Sequence, residues 1–351
     1  MRLLVAPDSF KGSLTSQQAA GIISKTLTQS VPDTEIIQCP LADGGEGTLS
    51  VLSSFIPDDV CVIESAKLIG LNLPEMVSLD VMNRGSTSLG DAILKGLDAG
   101  KRDFVIGLGG SATNDGGLGM LIALGMQAFD KHNLQVEPNL SGLLALVRVD
   151  ISNLDSRLTE SRLTILSDVE SPLHGENGAT AFYGPQKGLQ RGDVERVDQA
   201  MSKFAELCGD TLGSYPATDE GAGAAGGLGF ALMLLDGEMV SGAEFVIETT
   251  GFKNALTHAD WVITGEGCSD AQTLQGKLPI KVAEAAKEAG AKVALLSGSI
   301  EQASIPELEK WFDLLVPTKP EAMSVEQAME QAEGLLTSGV QQIIERISHD
   351  N

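Results

Sequence analysis

The sequence predicts an α/β protein. A parallel sheet with helices on both faces is built from both ends of the chain, and a second α/β domain is inserted between them. Three observations carry the prediction. At both ends, short apolar runs alternate with stretches of helical periodicity. The chain has 351 residues, more than the roughly 250–300 over which a single core keeps growing. Glycine is abundant, at 40 residues, while aromatic side chains make up only 4%, a composition that suits tight strand-to-helix turns.

Residues 2–6 read as a buried strand. Thr15 and Gln18 form a capping box, after which Ala19, Ile22, Ile23 and Leu27 mark one helical face. Residues 35–39 give a second strand. The middle of the chain carries short strands at 77–81, 104–107 and 163–166, helices near 91–97, 194–207 and 224–235, and many loops. The alternation then resumes with strand 261–264, helix 280–289 and strands 293–297 and 314–316. A long helix capped by Ser324 runs to about residue 347. The first domain comprises residues 1–60 and 258–351, the inserted one 61–257. A ligand is expected in the cleft between them, a common place for one.

The net charge of -24 repels phosphate backbones, so nucleic acid is not an expected partner. Cys39, Cys61, Cys208 and Cys268 are dispersed, and His132, His174, His258 and His349 do not cluster with them. This disfavours a zinc site or a disulfide framework. Asp8 interrupts the first apolar run too early for a signal-peptide core, and the apolar run 228–235 is too short to span a bilayer. A cytoplasmic protein with no membrane partner is expected.

Five loops share one chemistry, glycine beside a carboxylate or lysine: APDSFKGS (6–13), ADGGEGT (42–48), GLGGSATNDGG (107–117), GPQKG (184–188) and TGEGCSDAQTLQGK (264–277). All but GPQKG follow a clear predicted strand. Ligands of open α/β sheets sit beyond the carboxyl ends of strands, and backbone N–H groups of such turns bind anions. Lys11, Lys187 and Lys277 each lie in one of these loops, a setting for phosphate contact. Asp8, Asp43, Glu46, Asp115, Asp168, Glu266 and Asp270 lie in or beside them. Carboxylates in such a set can hold magnesium with substrate phosphates or take the proton of an alcohol nucleophile. Aspartate beside glycine also makes turns and helix caps, an equal claim on any one of them.

Other templates fit less well. No GxxxxGK[ST] is present, protein-kinase signatures are absent, and the histidines lie outside the glycine loops, so no Ser-His-Asp arrangement can be read. GLGGSA (107–112), with Asp130 downstream, fits a loose dinucleotide fingerprint, and GAGAAG (221–226) fits one without a preceding strand. GLGGSAT also echoes the GLGSSA loop of the homoserine and mevalonate kinase group, which has no place for the other four loops.

Together the five loops, in this order, resemble the bacterial glycerate kinase family, and the match runs from Met1 to the last helix. The resemblance implies ATP-dependent phosphorylation of glycerate, with the 2-hydroxyl favoured over the 3-hydroxyl. It also implies a flavodoxin-like domain formed by both chain ends. Under this reading Asp8 or Asp168 accepts the hydroxyl proton, and Lys11 and Lys187 stabilise charge on the transferring group. Magnesium is held by carboxylates drawn from Asp43, Glu46, Glu266 and Asp270. Ser9, Gly44, Gly45, Gly109, Gly110, Ser111, Asn114, Asp115, Gln186, Gln272 and Lys277 contact substrate or nucleotide. Three departures stand out. A family strand pair before Val62-Ile63-Glu64-Ser65-Ala66 is missing, Ser88-Leu89-Gly90-Asp91 replaces a GTGE pattern, and Ser171 replaces an Asn before Pro-Leu. They leave open a kinase for another small hydroxy acid. From other classes, a non-catalytic nucleotide-binding protein and a dinucleotide oxidoreductase stay as alternatives.

Overall fold

The computed structural model describes residues 1–213 and 215–349. The chain divides into two compact units, Met1–Phe55 with Ala243–Asn351, and Ile56–Gly242. The segment from 243 to 257 thus joins the first unit, whereas the sequence reading gives it to the inserted one. Local bonds account for this: Arg2 donates from its guanidinium to the Thr257 carbonyl at 2.6 Å, and Lys281 pairs with Glu244 at 2.8 Å.

The first unit is built on five parallel strands in the order Leu314–Pro317, Lys292–Ile300, Trp261–Ser269, Arg2–Val5, Glu35–Gln38. In its own chain order this is 2-1-3-4-5, the flavodoxin-like arrangement. Central strands buried on both faces must be apolar throughout, and Leu3, Leu4, Val5, Val262, Ile263, Leu295 and Leu296 are buried. The Ser16–Ser30 helix begins at the capping box of Thr15 and Gln18. It packs Ala19, Ile23 and Leu27 with Val340 and Ile343 of the Ala332–His349 helix into one core. That C-terminal helix does not run unbroken from Ser324. A capping box at Ser324 starts Val325–Glu330, and Gln331, at φ -107 and ψ 15, interrupts it.

The second unit has four parallel strands ordered Val60–Glu64, Asp103–Gly107, Arg162–Leu166, Glu238–Val240, and a small antiparallel pair, Gln127–Phe129 with Arg148–Asp150. Phe104, Ile106, Leu163 and Ile165 form the centre of its core. Residues 77–81, expected as a strand, are not one. Pro74 opens the short helix Pro74–Val77, and Asp80 caps a 3-10 turn by accepting the Met82 N–H at 2.9 Å. Proline at a first helical position and aspartate at a cap outweigh the alternation of V-S-L-D-V. Similarly, the segment before GPQKG is the helix Ala179–Tyr183, not a strand.

Candidate active site

Each unit gathers sequence-predicted residues into a cluster of its own. In the first unit the cluster lies where the strand order reverses, beyond the adjacent carboxyl ends of Arg2–Val5 and Trp261–Ser269. This is the topological switch point at which open α/β sheets bind ligands. The Asp8 N–H bonds to the Gly265 carbonyl at 2.8 Å, and the Thr264 hydroxyl bonds to the Ala6 carbonyl at 2.9 Å, which locks the Asp8 turn to the neighbouring strand. A cavity of about 460 Å³ opens there. Its charged end is lined by Asp8, Lys11, Asp43, Glu266, Asp270 and Lys277, with Ser9 beside them.

These side chains differ sharply in environment. Asp8 is 4% exposed. Burial, reinforced by the nearby Asp43 charge, holds its carboxyl well above the ordinary range. One of its oxygens accepts the Ser9 N–H at 2.6 Å. Asp43 sits 3.2 Å from the Lys11 ammonium and accepts the Gly45 N–H at 2.9 Å. Burial works against its ionised form, but Lys11 and the Gly45 N–H prevail and hold it below the ordinary range. Asp43 raises the Lys11 pKa in return. Burial raises Glu266, although its Oε1 accepts the Ser269 and Thr273 hydroxyls at 2.8 and 2.7 Å. The Ser9 hydroxyl is buried and has no partner among the described residues, a cost of about 1–3 kcal/mol if nothing binds it.

Asp270 lines the cavity, yet its Oδ1 accepts the N–H groups of Gln272 and Thr273 at 2.8 and 3.2 Å, which is turn chemistry. Gln272 accepts the Lys277 ammonium at 3.2 Å and orients it. Gly44 and Gly45 are buried in the Asp43 turn; Glu46 is half-buried and not among the cavity's lining residues. Ser299, Thr318 and Lys319 also line the cavity, and sequence reasoning missed them. Their signal was position, because each ends or follows a parallel strand.

In the second unit the loop after Asp103–Gly107 forms a buried, hydrogen-bonded frame. Ile69 and Leu71 bond to it through Ala112 N–H to Ile69 carbonyl at 2.7 Å and Leu71 N–H to Gly110 carbonyl at 2.9 Å; the Ser65 hydroxyl reaches the Gly109 carbonyl at 3.3 Å. Asp115 is fully buried. It accepts the Ser86 N–H and hydroxyl at 2.9 and 2.8 Å and the Gly117 and Gly119 N–H groups at 3.2 and 3.1 Å. Burial still leaves its pKa raised. With its oxygens so engaged, Asp115 braces the loop.

Lys187 is 4% exposed, and its ammonium donates to the Ser111 hydroxyl at 3.2 Å and the Thr113 carbonyl at 2.7 Å. Arg84 fixes its backbone by donating to the Lys187 carbonyl at 2.7 Å. Burial lowers the Lys187 pKa to about 7, with Asp115 opposing the shift and Arg84 adding to it. Beside it, the Thr113 hydroxyl and Asn114 Oδ1 are buried with no partner among the described residues, while Asn114 Nδ2 donates to Thr180 at 3.2 Å. A buried ammonium flanked by unsatisfied polar atoms is chemically suited to a polar, anionic group. Gln186 is exposed on the adjoining turn. Asp168, beyond Arg162–Leu166, is half-buried and accepts the Ser241 hydroxyl at 2.7 Å.

GAGAAG has a structural role in this unit. Ala225, Gly226 and Gly227 lie in the left-handed region, and the Gly226 carbonyl accepts the Gly116 N–H at 2.9 Å. A Cβ on Gly226 would meet the Thr113 carbonyl oxygen and stand 2.7 Å from Asn114 Cα. Gly226→Ala is therefore expected to cost about 2–4 kcal/mol, from left-handed strain plus overpacking against backbone. Urea denaturation checks this; an unchanged midpoint would contradict the packing described.

Among the described residues, which exclude the His349 side chain, no group of three or more His, Cys, Asp or Glu forms a metal cage. Magnesium needs no such cage, since it is bound by one or two carboxylates plus substrate phosphates. The hard oxygen donors at the cavity's charged end fit that requirement.

Sequence comparison decides the relationship. The model of the glycerate kinase family matches residues 3–60 and 52–348. The chain belongs to the glycerate kinase family. Glycerate kinase of Bacillus subtilis is 38% identical, covering 95% of this chain and 94% of that one. Glycerate 2-kinase of Escherichia coli is 36% identical over 86% of each. A crystal structure described as a glycerate kinase 2 from Salmonella typhimurium LT2 superposes with a TM-score of 0.78 at 31% identity, covering 100% of this chain and 99% of that one. As a member of that family the chain is a kinase, and no helix among the described residues is long and apolar enough to cross a membrane.

Proposed function

We propose that the chain transfers the γ-phosphoryl group of ATP to the 2-hydroxyl of D-glycerate, giving 2-phosphoglycerate and ADP. Family membership supports glycerate and ATP as substrates. The Escherichia coli relative's name supports the 2-position. The observation that carries the mechanism is Asp8: a buried carboxylate with a raised pKa at the switch point, in a cavity that also holds lysines. Asp8 accepts the hydroxyl proton as the oxygen bonds to phosphorus and the bond to ADP breaks. Asp168 is the weaker candidate, since it lies in the second unit and does not line the cavity that holds Asp8, Lys11 and Lys277.

Lys11, tethered by Asp43 but 61% exposed along its side chain, and Lys277, oriented by Gln272, offset phosphate charge. Asp43 and Glu266 would hold magnesium, which would supply neutralising charge for the phosphate oxygens. The Lys187 frame in the second unit receives an anionic substrate group, with Ser111 and Asn114 as its polar partners. With ATP as co-substrate, the reaction is placed in the cytoplasm.

Phosphorus NMR of the product from MgATP and D-glycerate tests the reading: a 2-phosphoglycerate resonance is expected, and a 3-phosphoglycerate resonance or none counts against it. Lys11→Ala is expected to lower kcat by about 10²-fold, the loss of one transition-state charge stabiliser. An unchanged kcat removes Lys11 from the mechanism.

A further inference from the structure

We propose that the other end of the first unit's cavity is a subsite for the purine base of the nucleotide, walled by the helices Val325–Glu330 and Ala332–His349. The inference rests on the kinase reading above and deepens it by assigning the nucleotide to this unit. The wall consists of Val325, Ala328, Met329, Ala332, Leu335 and Leu336. They recur at intervals of three and four residues, one apolar stripe on the cavity side.

Leu336 is 1% exposed and packs into the core, but the rest of the stripe is only partly covered. Val325–Glu330 contains no buried residue, and Val325 and Met329 are 59% and 38% exposed. Apolar surface turned toward a cavity, and not into a core, gains free energy only when a ligand covers it. Ala328 and Ala332, one on each helix, are the small members of this wall and leave room beside Val325, Met329 and Leu335 for a planar ring.

Size and polarity favour a base over the acid. Glycerate has seven heavy atoms. Even at the roughly 30 Å³ that a water occupies in the liquid, it would leave about half of the 460 Å³ empty. Its oxygens would also gain nothing from an apolar wall. A nucleotide matches both ends at once, an aromatic base for the stripe and phosphates for Lys11 and Lys277. The two ends adjoin, because a side chain placed on Gly12 would collide with the Met329 methyl. Met329 thus lies against the turn that carries Lys11.

Calorimetric titration with ATP and with inorganic tripolyphosphate, which has the phosphates but no base, tests this. Wild type is expected to bind ATP at least about tenfold more tightly than tripolyphosphate, a difference of about 1.4 kcal/mol. Ala332→Phe and Ala328→Phe each fill the space beside the wall from a half-buried position. Each should weaken ATP binding by about tenfold or more while leaving tripolyphosphate affinity within about twofold, which also reports an intact charged end. The inference is overturned if a variant with unchanged tripolyphosphate affinity binds ATP as wild type does. It is equally overturned if wild type does not distinguish the two ligands. Absence of any ATP binding by wild type would instead overturn the kinase reading, and the base subsite with it.

Discussion

Asp8→Asn should lower kcat by about 10³-fold while making the folded protein more stable. General-base catalysis contributes about 10²–10⁴-fold, and asparagine keeps the shape of the side chain without its ability to take a proton. The Ser9 N–H can still bond to the amide oxygen, so the turn survives. The stability gain follows from linkage. Burial raises the folded-state pKa of Asp8 above its unfolded value. Any stability its protonated form contributes is present below the unfolded pKa and is lost as pH rises through the folded one. At neutral pH, above the unfolded pKa, the buried carboxyl therefore costs stability, and a neutral isostere removes that cost. A residue with a purely structural role would lose stability and activity together. Steady-state kinetics and urea denaturation on one preparation separate the cases: a lower midpoint, or an unchanged kcat, would remove Asp8 as the base.

Lys187→Met should lower kcat/KM for glycerate by about 10²–10³-fold, because an ammonium held in a dry frame acts on an anion with little screening. The wild type carries a further signature. Its amine titrates near 7 when nothing anionic is bound, since burial disfavours the charge. Below that pH the cost of the buried charge is present in full. Above it the folded state binds fewer protons than the unfolded one, and stability rises with pH toward the ordinary lysine range. An arriving anion favours the charged amine, so glycerate binding at pH 8 should take up a proton. Calorimetry in buffers of different ionisation heat reads that uptake directly; a binding heat independent of buffer would mean that Lys187 does not meet the anion. Affinity for glycerate should also fall as pH rises from 7 to 9 in wild type and stay flat in the Met variant.

Much of the first unit was legible because its signals are local. The capping box at Thr15 and Gln18, the apolar runs around Leu4 and Ile263, and the loops after them need no distant partner to be read. The misreadings have local causes as well. Period-two alternation at 77–81 imitated a strand, while Pro74 and Asp80 carried the contrary signal. At Gln331 neither proline nor glycine marks the break, so the periodicity ran straight through it. The second unit's frame was partly legible: Lys187, Ser111 and Asn114 stood out, but Arg84, Ser86 and Thr113 did not. Their roles depend on contacts between segments remote in sequence, such as Ser86 with Asp115. GAGAAG resembled a nucleotide fingerprint, whereas its Gly226 packs on the backbone of Thr113 and Asn114, and its Gly223 on the Pro172 carbonyl.

The central strand Arg2–Val5 takes one neighbour, Glu35–Gln38, from early sequence and the other, Trp261–Ser269, from late sequence. On the ribosome that second neighbour emerges roughly 10–50 s after the first, at the usual pace of synthesis. For that interval an apolar ribbon has one side open, the very feature that recruits foreign strands. Chaperone dependence of newly made protein should therefore concentrate on the first fifty or so residues, and chains released before residue 261 should aggregate through them.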